Sequence, residues 1–494
     1  MKHSLFSSKW IIAIILAFLL GAGAFPRFSD LSAPLLDFHP TRQLFGAIKA
    51  RGIYYQDLPG APEWQKNLAV RQYAAEATIE PPLLEQFTAR LYTIFGEQTS
   101  IPRAISASFW LLAAPFLFLL SRNLTGSTPA AAGSLAFYLF LPYAVTASRS
   151  FQPDPLMVAL VIVFWWGMEN WCRNPSWKWT ILSGLAGGLA IFVKLPAAFF
   201  VIGGAIGMII AHPGLKKTLK LPQTWAVVIL GLLPPAAYLF YGTFVDRFLD
   251  QQFAGRFYPE LWVSPSFYLR WFLKLENVAS IIWISLALLS WLVFAGRPAR
   301  YFLSGLWLAY GIYGLTFAHH ISSHDYYSLP IIPILAVSLA PLAAEILVVL
   351  RDKLRRSLLL EIVSVLILFI TFSLVSVNQY IKQRTNDYRP QAAFWAEVGS
   401  AIGHQPGVVA LTTDYGYPLA YYGWQNSDPW PLAPDIQNFN ETFSSLAGRK
   451  SYFLITDFDE YDRQPELQKL LTSRYPVLTQ GKGYIVFDLL HPKK

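Results

Sequence analysis

Residues 10–25 read Trp10-Ile-Ile-Ala-Ile-Ile-Leu-Ala-Phe-Leu-Leu-Gly-Ala-Gly-Ala-Phe25, a run without a charged side chain, led by Lys2 and Lys9. A helix of roughly 17–25 apolar residues crosses the hydrocarbon core of a bilayer, so this stretch reads as a membrane span behind a basic lead. It also reads as a secretory leader, because the small residues Gly21 to Ala24 resemble a cleavage site. On either reading the chain after Phe25 emerges on the far side of the membrane.

The same kind of run recurs near 103–121, 130–147, 155–171, 179–195, 196–212, 224–243, 278–295, 301–318, 328–350 and 358–378. The expectation is therefore a helical membrane domain of about eleven spans. Composition agrees. Of the 494 residues, 54% are hydrophobic and 14% charged, where a soluble domain carries about 25% charged. Mean hydropathy is +0.38. Seventeen tryptophans suit many membrane–water interfaces. The net charge of +9 sits in short clusters between apolar runs, which argues for orientation signals and against a nucleic-acid partner. Cys172 is the only cysteine, so an internal disulfide and a thiolate-rich zinc site are excluded.

Charge also sets the sidedness. Alternate loops carry Arg122; Arg173 and Lys178; Lys216, Lys217 and Lys220; Arg297 and Arg300; and Arg351, Lys353, Arg355 and Arg356. All are basic, as cytoplasmic loops should be. This predicts a cytoplasmic N-terminus and a periplasmic or extracellular tail. Residues 1–378 then form the membrane domain, with its first outer loop at 26–102, and 379–494 a soluble outer domain. The other outward segments are 149–154, 244–277 and a polar turn at 318–327. In the tail, strand-like runs at 408–412, 451–456 and 483–488 alternate with helical runs at 391–402 and 465–473, the pattern of a small α/β domain.

Candidate chemistry gathers in the outward segments. The first loop carries Asp37, His39 and Arg42 around Pro40. Asp37 is either a functional carboxylate or the N-cap of a helix starting at Pro40. Glu80 precedes Pro81-Pro82-Leu83-Leu84 and an amphipathic stretch to Phe95-Gly96, where it would answer a helix dipole, and Arg103 opens the second span. Between the third and fourth spans stand Arg149, Gln152 and Asp154. Asp154 opens a span and reads as a capping group. Lys194 interrupts an apolar run, where it either serves function or snorkels to the interface. His319, His320, His324, Asp325, Tyr326 and Tyr327 precede Leu329-Pro330. The three histidines and Asp325 on this short loop are candidate ligands for a divalent metal, with Glu80 or His39 joining them in space and Glu80 and His324 taken as the ligand set, though the histidine spacing matches no tight zinc motif. In the tail, Tyr415, Tyr417, Tyr421, Tyr422 and Trp424 either line a sugar surface or fill the core of a small domain.

In order along the chain, Asp37, the acid-Pro-Pro-Leu stretch ending in Phe95-Gly96, Arg103, Gln152-Pro153-Asp154 and His324-Asp325-Tyr326-Tyr327-x-Leu329-Pro330 resemble the GT-C glycosyltransferases. These include protein O-mannosyltransferases, lipid A aminoarabinose transferases and Rgt-type lipopolysaccharide transferases. The resemblance covers about residues 10–350. It implies a sugar taken from a polyprenyl-phosphate carrier and attached to a lipid, glycan or protein acceptor at the outer face of the plasma membrane. Asp37 then matches the loop-one base. The donor phosphate and substrate fall to His39, Arg42, Arg103, Arg149, Asp154, Lys194, Asp325, Tyr326 and Tyr327. Glu80 stands where relatives have His or Lys, so it either binds metal or only fills the position; Phe38 stands where mannosyltransferases have a second acid, which weakens any transfer of their acceptor specificity. A carboxylate base acting in one displacement predicts inversion at the anomeric carbon. The competing classes are a flippase for lipid-linked glycan, which calls for paired ionisable groups at mid-membrane depth and internal pseudo-symmetry, and a non-catalytic assembly protein, in which Asp37 and His324 would be dispensable.

Overall fold

The structure, a computed structural model, describes residues 9–250, 257–354 and 358–493. Lys2, Arg355 and Arg356 of the basic clusters, and 251–256 of the outward segment 244–277, lie outside the described residues. The chain divides into two compact units. The first holds Met1–Leu31, Thr78–Leu83 and Arg103–Thr385; the second holds Ser32–Ala77, Leu84–Pro102 and Asn386–Lys494. Segments of the first outer loop thus fold in the same unit as the C-terminal residues.

The first unit is helical, and every apolar run of the sequence lies on a helix. Among the described residues, six helices are long and apolar enough to cross a membrane, or up to eight if each of two bent pairs counts as one span. One bent pair is Thr128–Phe140 with Pro142–Ser148, turned by 61°. The cause is Pro142, which has no N–H to continue the ladder. The other joins Pro265–Ala279 to Ile281–Phe294 at 91°, with Ser280 left-handed at the break. Helix packing uses small residues, as expected where lipid removes the hydrophobic drive between helices. Gly203 and Gly207, one turn apart on Ala197–Ala211, meet Arg297–Thr316 so closely that a Cβ on Gly203 would stand 2.6 Å from the Gly305 carbonyl oxygen.

The second unit carries a mixed sheet of β1 (Val408–Leu411), β2 (Asp428–Pro429), β3 (Tyr452–Ile455), β4 (Val477–Gly481) and β5 (Tyr484–Asp488), in the order β2-β1-β3-β5-β4. β1 runs parallel to β2 and β3, whereas β5 is antiparallel to β3 and β4. Both faces are covered. Val409, Leu411, Phe453 and Phe487 enter one core with Leu467 and Leu471, while Val408, Ala410, Leu454 and Val486 enter another with Trp395 and Val398. That is why these strands read as unbroken apolar runs instead of alternating ones. Helices Pro40–Gln56 and Glu63–Ala75 belong to the same unit.

Candidate functional site

In the first unit the polar residues gather where helices begin and end on one side of the bundle. Asp154 is the first residue of Asp154–Arg173, Lys194 follows Trp177–Val193, and Asp325 to Tyr327 precede Ile331–Leu354. Arg122 and Arg173 lie in the last turns of their helices, away from this group.

Lys194 Nζ donates to both carboxylate oxygens of Asp154, at 2.7 and 2.8 Å. Both residues are buried. Asp154 is therefore an ion-pair partner, and its side chain caps nothing. Lys194 does not snorkel. Its ammonium lies 5.5 Å from the Tyr326 ring centroid and 5.3 Å from that of Tyr327. Beside them, the Tyr143 hydroxyl donates to Asp325 at 2.9 Å. The break at Pro142 sets Tyr143 on its own short helix.

Arg149, fully buried, has a different task. Its guanidinium donates to the backbone oxygens of Pro26 and Asp30 and to the Gln383 side chain, tying three chain segments together. Arg103, equally buried, lies in the first turn of Ser100–Thr125. Gln152 is 2% exposed, and both its amide atoms lack a hydrogen-bond partner among the described residues. The expected polar turn at 318–327 is instead a helix, Ala318–Ser323, followed by a tight turn of 3-10 helix, Asp325–Ser328.

The metal expectation finds no support in the donor set. His324 is exposed, with Nδ1 2.8 Å from Ser323 Oγ, and Glu80 stands ahead of the helix Leu83–Phe95 it was expected to open. Among the described residues, no three His, Cys, Asp or Glu side chains are placed to hold a metal ion. Glu80 and His324 thus belong to no assembled metal site among the described residues, and no step below uses a metal.

In the second unit, the helix Pro40–Gln56 begins one residue after His39, which occupies the cap position at φ 45° and makes no side-chain cap bond. Asp37 is not the cap. Its Oδ1 accepts from Gln43 Nε2 at 3.2 Å, and the same nitrogen donates to the Phe38 carbonyl at 2.7 Å. Gln43 is fully buried and Asp37 half-buried. A rigid amide thus orients a carboxylate that still reaches solvent. Arg42 lies over the Phe45 ring at 5.6 Å.

Next to this helix stands a turn the sequence did not flag for strain. Asp414, Tyr415 and Gly416 are all left-handed, at φ 51°, 54° and 78°. For a residue with a Cβ this conformation costs roughly 1–2 kcal/mol. Asp414 Oδ1 faces the Thr41 hydroxyl at 3.5 Å, and Tyr417 donates to Glu76 Oε2 at 2.9 Å. Burial pushes the Asp414 carboxyl up, against the Thr41 hydrogen bond and the nearby His39. Burial likewise raises Glu76, against the Tyr417 hydrogen bond and the charge of Lys49. Of the tail aromatics, Tyr421 is core, with the Arg51 guanidinium 3.8 Å from its ring centroid and 4.0 Å from that of Trp424. Tyr415 is 79% exposed.

Glu76 gives a pH prediction. A carboxyl raised on folding stabilises the native state while protonated and loses that contribution as pH rises through its folded value. Glu76→Gln keeps an acceptor for Tyr417 and removes the buried charge. It is expected to melt above wild type at pH 7, with the difference closing below about pH 4. Melting curves across that range check the sign; a variant less stable than wild type at neutral pH contradicts it.

Residues 79–241 match the family model described as dolichyl-phosphate-mannose-protein mannosyltransferase. The stretch contains Glu80, Arg103, Arg149, Asp154 and Lys194. No curated protein matches the sequence. ArnT from Cupriavidus metallidurans bound to undecaprenyl phosphate superposes with a TM-score of 0.61 at 14% identity, covering 97% of this chain and 98% of that one. Its apo form gives 0.61 at 15%, with the same coverage. The Archaeoglobus fulgidus oligosaccharyltransferase in complex with Zn and sulfate gives 0.53 at 12%, covering 95% of this chain and 73% of its own. The chain has the GT-C glycosyltransferase fold. At such identities the likeness is one of architecture, and it extends over 97% of this chain.

Proposed function

We propose that this membrane protein is an inverting glycosyltransferase that moves a sugar from a polyprenyl-phosphate carrier to an acceptor hydroxyl at the outer face of the plasma membrane. The observation that carries this reading is the end-to-end likeness to an ArnT whose structure holds undecaprenyl phosphate. Within each unit taken by itself, the side chains suit one part of such a reaction. Asp37 takes the proton of the acceptor hydroxyl as that oxygen bonds to the anomeric carbon. The bond from this carbon to the phosphate oxygen breaks, and its electron pair stays on the phosphate. Cations must meet that growing charge. An ammonium has three N–H donors, and Asp154 accepts two from Lys194, so one remains for a phosphate oxygen. Arg103 adds positive charge, and Arg149 holds the helix ends in place. Asp325, Tyr326 and Tyr327 bound the same group on the side of Lys194, and His39 and Arg42 flank the base in sequence. The basic ends Arg122 and Arg173, opposite the Lys194 group, support a cytoplasmic N-terminus.

The test uses purified protein in detergent with radiolabelled undecaprenyl-phosphate sugars and a membrane extract. Free undecaprenyl phosphate should accumulate as label enters the acceptor, with the opposite anomeric configuration. Transfer with retained configuration would remove the single-displacement step, and no transfer from any polyprenyl-phosphate sugar would remove the whole reading.

A further inference from the structure

Two strained backbone segments of the second unit face each other. On one side is His39, left-handed although it precedes a proline, a position that disfavours helical backbone. On the other are Asp414 and Tyr415, left-handed in succession. Thr41 bridges them through its contact with Asp414, and His39 acts electrostatically on the same carboxylate. Asp37 is two residues from His39. Strain at bulky residues persists only where the surrounding structure imposes it, and it concentrates at working sites.

The strain delivers one thing. It presents the Tyr415 ring to solvent at 79% exposure, while its neighbour Tyr417 is anchored through Glu76 and packs 6.4 Å from Phe45. Tyr415 makes no ring contact among the described residues. Folding alone gives no reason to hold a tyrosine left-handed and exposed, since glycine would fit that backbone without strain. The two faces of the ring are electron-rich, and the carboxylate of Asp414 and hydroxyl of Thr413 stand next to it in sequence. A pyranose ring offers the complement, with polarised axial C–H bonds on its face and hydroxyls around its edge.

We propose that Tyr415 is the acceptor-side contact of the enzyme, a stacking face for a sugar ring of a glycan or glycolipid acceptor, held beside the Asp37–Thr41 segment by the left-handed turn at 414–416. This rests on the glycosyltransferase reading and narrows it to a carbohydrate-bearing acceptor.

The experiment compares Tyr415→Gly, which removes both strain and ring, with Tyr415→Phe, which keeps the face. Melting in detergent is expected to stay level or rise for Tyr415→Gly, because glycine tolerates this backbone. Transfer from radiolabelled undecaprenyl-phosphate sugar is measured against increasing glycolipid extract. Tyr415→Gly should need about tenfold more extract for half-saturation, a loss typical of one contact, with its donor dependence unchanged. Tyr415→Phe should match wild type. Titration of the water-soluble glycan released from the extract by mild acid, onto the same proteins without donor, reads binding separately from turnover. Loss of glycan binding in Tyr415→Gly alone supports the proposal. Equal glycan binding by all three proteins overturns it, even if transfer occurs. If no transfer is seen but the glycan binds through Tyr415, the reaction fails and the contact stands.

Discussion

Asp37→Asn is expected to lower release of undecaprenyl phosphate by about 10²–10⁴-fold, the contribution of a positioned general base. The substitution is close to isosteric. Gln43 Nε2 can donate to an asparagine carbonyl as it does to Asp37 Oδ1, and its stronger bond to the Phe38 carbonyl is untouched. The loop should therefore keep its pose and its melting temperature while losing only basicity. That separation makes the result readable. A large drop in turnover with unchanged melting assigns the proton transfer to Asp37. Equal release by both proteins removes Asp37 as base, and a drop that follows unfolding would mark the carboxylate as structural. The effect should fall on turnover more than on donor half-saturation, because the proton moves only in the transition state.

The membrane architecture was legible because it depends on bulk properties. Apolar length is readable residue by residue, although about eleven apolar runs in the sequence correspond, among the described residues, to six helices long and apolar enough to cross, or up to eight with the bent pairs, and strands β1, β3 and β5 announced themselves as short apolar runs. β4 did not. It is an edge strand, with Val477 and Leu478 nearly half exposed, and its Thr479-Gln480-Gly481 carries no periodic signal. The candidate site was legible as residue types and not as partnerships. The sequence reads Asp154 as a cap and Lys194 as either a functional cation or a snorkelling one, and the forty positions that separate them hide that they form a pair. Gln43 was in view beside Asp37, yet an amide has no charge to attract notice. Tyr143 had no sequence signal beyond its place in an apolar span. The strain at Asp414 and Tyr415 was invisible because neither residue is a glycine, and the Gly416 that follows reads as an ordinary turn.

The Lys194–Asp154 pair carries the other large effect. Removing one partner of a buried ion pair leaves the other charge without compensation, at a cost of about 3–5 kcal/mol. Lys194→Met strands the Asp154 carboxylate, and Asp154→Leu strands the ammonium under Tyr326 and Tyr327. Each single variant is expected to lose much of the protein's thermal stability in detergent. The double variant should recover most of it, since replacing a buried pair by apolar side chains is often near neutral. Activity is expected not to recover. With the ammonium gone, the third N–H proposed to meet the leaving phosphate is gone too, and loss of such a donor costs about 10²–10³ in turnover. Restored stability without restored transfer places Lys194 in the chemistry. If transfer returns together with stability, the pair is only a strut between the helices that begin at Asp154 and end at Val193, and the phosphate is met by other cations, with Arg103 the first to substitute.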